Sequence, residues 1–225
     1  MLQFPAGKTQ KNFVIPSTVV EISGSAMVSC TNLSGTIILP ANLKTIGTSA
    51  ISTCPNVTGE LVIPQTVTSI GGYPFHGSSF TAFSGIDNAY YTTVDGVLYD
   101  ASMTNLIQYP TGKPDTSFTV PSGVATIGSY SFYNAKSLTS ITIPSTVTNI
   151  AGTSAFSGCS NLKTVIIESA AVAAMLSSKN SAGNLVRYAT TVYVSESAAA
   201  SLSESFADIF RETSSDQTGY RKYTA

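Results

Sequence analysis

One nine-residue phrase recurs along this chain, and it constrains the fold more than any other feature. Thr142-Ile143-Pro144-Ser145-Thr146-Val147-Thr148-Asn149-Ile150 echoes Val62-Ile63-Pro64-Gln65-Thr66-Val67-Thr68-Ser69-Ile70, and the phrase returns at 14–22, 38–46 and 119–127. Its prolines, Pro16, Pro40, Pro64, Pro121 and Pro144, stand 23 or 24 residues apart, with one longer gap. A fixed period of this size implies a solenoid, because one unit is too small to bury its apolar face and must stack on its neighbours.

The interior of a unit can be read from its alternation. In Ile141-Thr142-Ile143 the period is two, which predicts a short strand with Thr142 outward. Pro144 has no N–H to give to a ladder and ends that strand. Val147 and Ile150 then return to the interior, Phe156 fills the coil in a short 3₁₀ or helical turn, and Leu162 closes it. Across the repeats, Ile15, Leu39, Ile63, Val120, Ile143 and Ile167 are expected inward, in one parallel sheet of five coils. Val14, Ile38, Val62, Thr119, Thr142 and Ile166 are expected outward, a β-branched set suited to a pleated surface. The endings Leu33-Ser34-Gly35-Thr36 and Val57-Thr58-Gly59-Glu60 account for the longer spacing of the early units.

These residues resemble the BspA-like class of leucine-rich repeats, found on bacterial surfaces. The family phrase, Ile-Pro-x-x-Val-x-x-Ile-Gly-x-x-Ala-Phe-x-x-Cys-x-x-Leu, is matched by Ile143-Pro144, Val147, Ile150, Gly152, Ala155-Phe156, Cys159 and Leu162, with one residue inserted between Ile150 and Phe156. Met27 and Ile51 replace the Phe in the first two units, and the third has Tyr73-Pro74-Phe75-His76 there. The resemblance implies a β-rich leucine-rich-repeat solenoid, and the segment after Ile167, where the repeat phrase stops, is expected to cover its open end as an α/β C-terminal cap.

The expected organisation is five repeat units over 1–167 and a capping segment over 168–225. An insert over about 84–117 holds a hairpin of Val97 to Tyr99 with Leu106 to Tyr109, near an Asp95-Gly96 turn signal. Leu2-Gln3-Phe4-Pro5-Ala6-Gly7-Lys8 repeats the end of that insert, Ile107-Gln108-Tyr109-Pro110-Thr111-Gly112-Lys113. Residues 1–12 are therefore read as the remnant of an upstream insert, with 1–7 an orphan or edge strand and the chain a fragment of a longer protein; a native start in a degenerate first unit is the alternative. In the cap, 170–178 is expected helical, 190–194 a strand, Ser195 an N-cap, and 198–210 a helix with Leu202, Phe206, Ile209 and Phe210 on its apolar face. The tail over 213–225 is polar and expected to fray.

Chemistry is sparse. Only 10% of the 225 residues are charged and the formal net charge is −1, which leaves no basic footprint for nucleic acid or an acidic membrane. No apolar run approaches the roughly 18 residues of a membrane helix. The single histidine, His76, has no nucleophile motif beside it. Asp87, Asp95 and Asp100 lack the dense acidic spacing of a calcium loop and read as turn residues. Asn32-Leu33-Ser34 and Asn56-Val57-Thr58 fit the glycosylation pattern, but their Asn side chains are expected to bond backbone at coil corners. Cys30, Cys54 and Cys159 recur at one repeat position and read as small buried thiols; a Cys30–Cys54 disulfide is the alternative. No zinc spacing exists, and no catalytic residue, cofactor or metal is expected.

The resemblance implies a non-catalytic cell-surface or secreted module that binds a host or bacterial surface protein or a glycan, with an export signal lying outside this sequence. An architectural spacer is the alternative, and an enzyme the remote one. The expected binding face comprises Val14, Ile38, Val62, Thr119, Thr142 and Ile166, with Tyr90, Tyr91, Tyr99 and Tyr109 of the insert. Those tyrosines serve either as an aromatic platform for a ligand or as the cover of the hairpin against the solenoid.

Overall fold

The computed structural model describes Phe4 and residues 7–225. The expectation of an orphan strand over 1–7 falls largely outside the described residues. The chain forms two compact units: residues up to 113 together with 130–135, and 114–129 together with 136–225. Both are built from the same β-solenoid coil.

In the first unit the strands Gln10–Val14 and Leu33–Ile38 pair in parallel, with Val14 opposite Ile38. Thr58–Val62 pairs in parallel with Ser79–Ser84, placing Val62 opposite Ser84. A single parallel bridge, Gly35 to Val57, joins the two ladders. The unit is thus not the uninterrupted sheet that the repeat suggests. In the first ladder the extra residue of the Leu33–Ile38 strand makes a bulge beside Gly35, at φ 76°; in the second the register shifts next to Gly59, at φ 82°, with the extra residue on the Ser79–Ser84 side. The Ser79–Ser84 strand continues the stack beyond the last Pro-containing phrase of this unit, and sequence reading did not foresee it.

Each coil turns at its proline. The carbonyls of Pro16, Pro40 and Pro64 accept from the N–H three residues on, at 3.0–3.1 Å, so the residue that ends one strand also opens the next turn. The chain then runs through a second parallel ladder of two-residue strands: Glu21–Ile22, Thr45–Ile46 and Ser69–Ile70. Close approach is obligatory here: a Cβ on Gly47 would lie 2.3 Å from Gly24 N, and one on Gly71 2.3 Å from Thr48 N. Corner side chains bond the preceding coil. Asn32 Nδ2 donates to Gly7 O (3.2 Å) and Asn56 Nδ2 to Thr31 O (2.7 Å), the role expected of these asparagines. Thr66 Oγ1 reaches Ala41 O and Leu43 O. Each such bond contributes about 1 kcal/mol and fixes the register between coils.

Ile15, Leu39 and Ile63 are buried as expected, and Met27, Ile51 and Phe75 hold the position of the core filler. Phe75, Phe80 and Phe83 form an aromatic nucleus with centroids 5.1–5.9 Å apart. The corners that carry these fillers are hydrogen-bonded turns rather than helices.

The insert is a three-stranded antiparallel meander of Tyr91–Val94, Val97–Asp100 and Asn105–Gln108, one strand more than the expected hairpin. Asp95 and Gly96, at φ 50° and 77°, make the tight turn that twists with the strands. In the next turn the Asp100 carboxylate accepts from Asn105 N and Thr104 Oγ1, both at 2.8 Å, and from Asn105 Nδ2 and Ser102. Burial opposes its charge, but these donors outweigh burial and hold its carboxyl below the usual range. Tyr109 stacks on Phe132 at 5.0 Å, its N–H donates to Ser131 O, and Gln108 Nε2 donates to Tyr130 O and Ser131 O. These contacts explain why 130–135 belongs with the first unit.

In the second unit Ser117–Thr119, Ser140–Ile143, Thr164–Ile167 and Thr191–Ser195 form a parallel run in register. A second ladder pairs Thr126–Ile127 with Asn149–Ile150. Val120, Ile143, Ile167 and Phe156 are all fully buried. Two expectations for the cap fail. Residues 198–210 are not one helix: a short helix, Glu196–Ala199, gives way to the 3₁₀ segment Glu204–Asp208. Between them Ser203, at the N-cap position of the 3₁₀ segment, donates its hydroxyl to Leu176 O. Nor is 213–225 a loose tail. Tyr220–Thr224 pairs antiparallel with Thr191–Ser195, and Arg211–Thr213 adds outside it. The alternation of the tail buries Tyr223 edge-on to Phe206 at 5.1 Å, enough to dock a polar strand. Ser195 occupies the N-cap position but makes no capping bond, whereas Ser169 caps Ala170–Ala174 through Val172 N at 3.0 Å.

Candidate binding face

The outward positions of the first unit are strongly exposed: Val14 at 59%, Ile38 at 55% and Val62 at 56%. Three β-branched side chains this open are unusual in a structure whose inward row is nearly dry. Pro40 and Pro64 end the strands just after Ile38 and Val62, so the chain turns away and leaves the row uncovered. Ile38 and Val62 flank a shallow cavity of about 490 Å³, walled also by Thr36, Ala41, Glu60 and Pro64. It is apolar, with Glu60 its one charged wall residue.

Matching positions of the second unit differ in chemistry. Thr119 is exposed, and Thr142 and Ile166 are half-buried. They stand in register with each other, and Ile166 lies opposite Tyr193. Tyr193 is buried; its hydroxyl donates to Asp216 Oδ1 at 2.7 Å, and Lys222 Nζ lies 5.7 Å from its ring centroid while bonding Asp216 Oδ2 at 3.1 Å. The row therefore ends beneath the C-terminal strands.

The insert tyrosines do not form a platform. Tyr90 is 54% exposed. Tyr91 is half-buried and its hydroxyl oxygen accepts from Ile70 N at 2.8 Å, so it fastens the meander to the coil. Tyr99 and Tyr109 are almost fully buried, which corrects their placement on the binding face: both point beneath the meander and act as its cover. Burial, followed by the nearby Asp95 charge, drives the Tyr99 phenol well above its ordinary pKa.

Sequence reading missed a different aromatic group. The rings of Tyr73, His76, Tyr130 and Tyr133 lie 5.0–5.7 Å apart, and His76 Nδ1 is 3.0 Å from Tyr73 O. All four are half-buried. The signal was present: Tyr73-Pro74-Phe75-His76 and Tyr130-Ser131-Phe132-Tyr133 occupy the same repeat position once the insert is set aside. Among the described residues no cluster of His, Cys, Asp and Glu is arranged to hold a metal ion, and no helix is long and apolar enough to cross a membrane.

Strand, proline turn, second short strand and buried corner, repeated in phase, define a leucine-rich-repeat solenoid. The chain belongs to the BspA-type leucine-rich repeat family: the BspA type leucine rich repeat region matches residues 4–110 and 112–185 in six copies. Six copies rather than five agrees with coils beyond those bearing the proline phrase, and the match continues past residue 167. A leucine rich cell surface protein from Faecalibacterium prausnitzii superposes with a TM-score of 0.56 at 22% identity, over 86% of this chain and 62% of that one. The pneumococcal vaccine antigen PcpA gives 0.42 at 20% identity, over 69% and 62% of the two chains. A leucine-rich repeat protein from Eubacterium ventriosum gives 0.40 at 22%, over 70% and 60%. This chain thus spans about three fifths of the length of these structures. No curated protein is similar in sequence.

Proposed function

We propose that this chain is a non-catalytic module of a bacterial cell-surface protein that binds a protein or glycan through the outward sheet face of its first unit. The observation that carries the reading is the row Val14, Ile38 and Val62, each more than half exposed, with the shallow apolar cavity between the last two. Contiguous exposed apolar side chains, unlike single scattered ones, are the kind of surface that interaction sites use. Full burial of one such side chain contributes about 1.5–3 kcal/mol, so three half-exposed ones supply a modest affinity that multiple copies on a surface would raise. Family membership supports a repeat protein rather than an enzyme, and the Faecalibacterium relative is described as a cell surface protein. Tyr90 adds an aromatic contact at the insert; Thr119, Thr142 and Ile166 offer hydroxyl groups and a weaker apolar surface. Attraction at an almost uncharged face would depend little on salt.

The test is a protein and glycan array probed with the whole chain and with a folded Ile38→Glu, Val62→Glu double variant. Reproducible binding that the double variant loses supports the proposal. Binding that survives it moves the site elsewhere, and no binding by the wild-type chain favours the architectural spacer.

A further inference from the structure

Cys30 and Cys54 occupy the same position in adjacent coils, 24 residues apart, and both are fully buried. Both are free thiols in this structure, and the Cys54 thiol reaches back into the preceding coil, where it donates to Met27 O at 3.0 Å. Neighbouring bonds clamp the two corners together: Ser29 N to Ser52 O at 3.0 Å, Ser29 N to Thr53 Oγ1 at 3.1 Å, and Asn56 Nδ2 to Thr31 O at 2.7 Å. Stacked parallel backbones stand roughly 4.8 Å apart, inside the 4.4–6.8 Å Cα separation that a disulfide spans. The next coil offers no third thiol: Ser78 holds that position, and its Oγ accepts from Cys54 N at 3.1 Å. Cys159 sits in the second unit at the equivalent position of the repeat.

We propose that Cys30 and Cys54 are a disulfide-forming pair that staples these two coils covalently in an oxidising environment. The two S–H bonds break and one S–S bond forms. The two electrons and two protons pass to a small-molecule disulfide, whose own S–S bond is cleaved to two thiols. The staple joins the coils that carry Val14 and Ile38 and so braces the outward row. Its expected setting, outside the cell, rests on the surface reading above; the chemistry of the pair does not, and its test uses no binding partner.

Burial hinders entry of an oxidant into the folded chain, so oxidation is tested in two arms. Folded protein is incubated with oxidised glutathione, and reduced, denatured protein is refolded in a glutathione redox buffer. Peptide mapping without reductant follows, with alkylation under denaturing conditions. A linked Cys30–Cys54 peptide in the refolding arm, Cys159 alkylated as a thiol, and a melting temperature several degrees higher that dithiothreitol reverses are the expected results. The Cys159→Ala variant should still form the link, and Cys54→Ser should lose it together with the temperature gain. Recovery of Cys30 and Cys54 as thiols from both arms overturns the proposal, as does a mixture in which Cys159 pairs equally with either.

Discussion

The two units are written in the same phrase but diverge on opposite sides of the strand. Inward, Ile15, Leu39 and Ile63 in one and Val120, Ile143 and Ile167 in the other are interchangeable in burial. Outward, the first shows Val14, Ile38 and Val62, all more than half exposed, while the second shows Thr119, Thr142 and Ile166 and then closes under Tyr193. Stacking dictates the inward row, because any polar or small residue there would leave a cavity or an unpaired group in every coil. It places no demand on the outward row. The two outward rows therefore differ in chemistry, one apolar and open, the other hydroxyl-bearing and partly closed.

The equivalence of the interiors can be broken first. Phe75→Ala and Phe156→Ala each empty the centre of one coil, and each should cost on the order of 3–5 kcal/mol in denaturant titrations. If one is tolerated within about 1 kcal/mol, the two interiors are not alike. A next, smaller effect belongs to the first unit alone. Burial, the largest influence, raises the Cys54 thiol from an ordinary 9.0 to about 11. In the unfolded chain the thiol loses its proton near 9, so the stability tied to the protonated form is complete below that pH and disappears as pH rises to about 11. About 2–3 kcal/mol should be lost over that interval in reduced protein. Cys54→Ala should flatten the slope of stability against pH; an unchanged slope assigns the alkaline loss to other groups. Gly47→Ala tests the close approach of the short strands, since its Cβ would meet Gly24 N at 2.3 Å. A cost of about 1–3 kcal/mol is expected in thermal melts, and a neutral result would mean the ladder relaxes freely. Smallest of all, Ile38→Thr, which gives the first unit the outward chemistry of the second, should change stability by less than about 0.5 kcal/mol.

Much of this was legible because period and phase are properties of the chain itself. Pro144, Ile143 and Phe156 announce strand end, inward strand residue and core filler, and the structure places them so. The insert was legible in part: Asp95-Gly96 signals a turn, yet the strand it opens from, Tyr91–Val94, carries little apolar alternation and is held by Asn88 and Tyr91 contacts that only the fold creates. The tyrosines were ambiguous for the same reason. Tyr90 and Tyr99 are alike as residue types, and only the register of the meander makes one 54% exposed and the other buried. The C-terminal strands were misread because their pairing is antiparallel and distant: Val192 meets Tyr223 across 31 residues, a partnership no local pattern encodes.

The most direct test of the central claim disrupts the two faces one at a time while leaving both interiors intact. Val14→Glu, Ile38→Glu and Val62→Glu are combined in one variant, and Thr119→Glu, Thr142→Glu and Ile166→Glu in a second, each shown to melt cooperatively. Both are then compared with the wild-type chain against whatever protein or glycan the array identifies. The account predicts that the first variant loses at least tenfold in affinity and that the second keeps most of it. Full binding by the first variant, with loss confined to the second, would contradict the assignment of the binding face to the first unit.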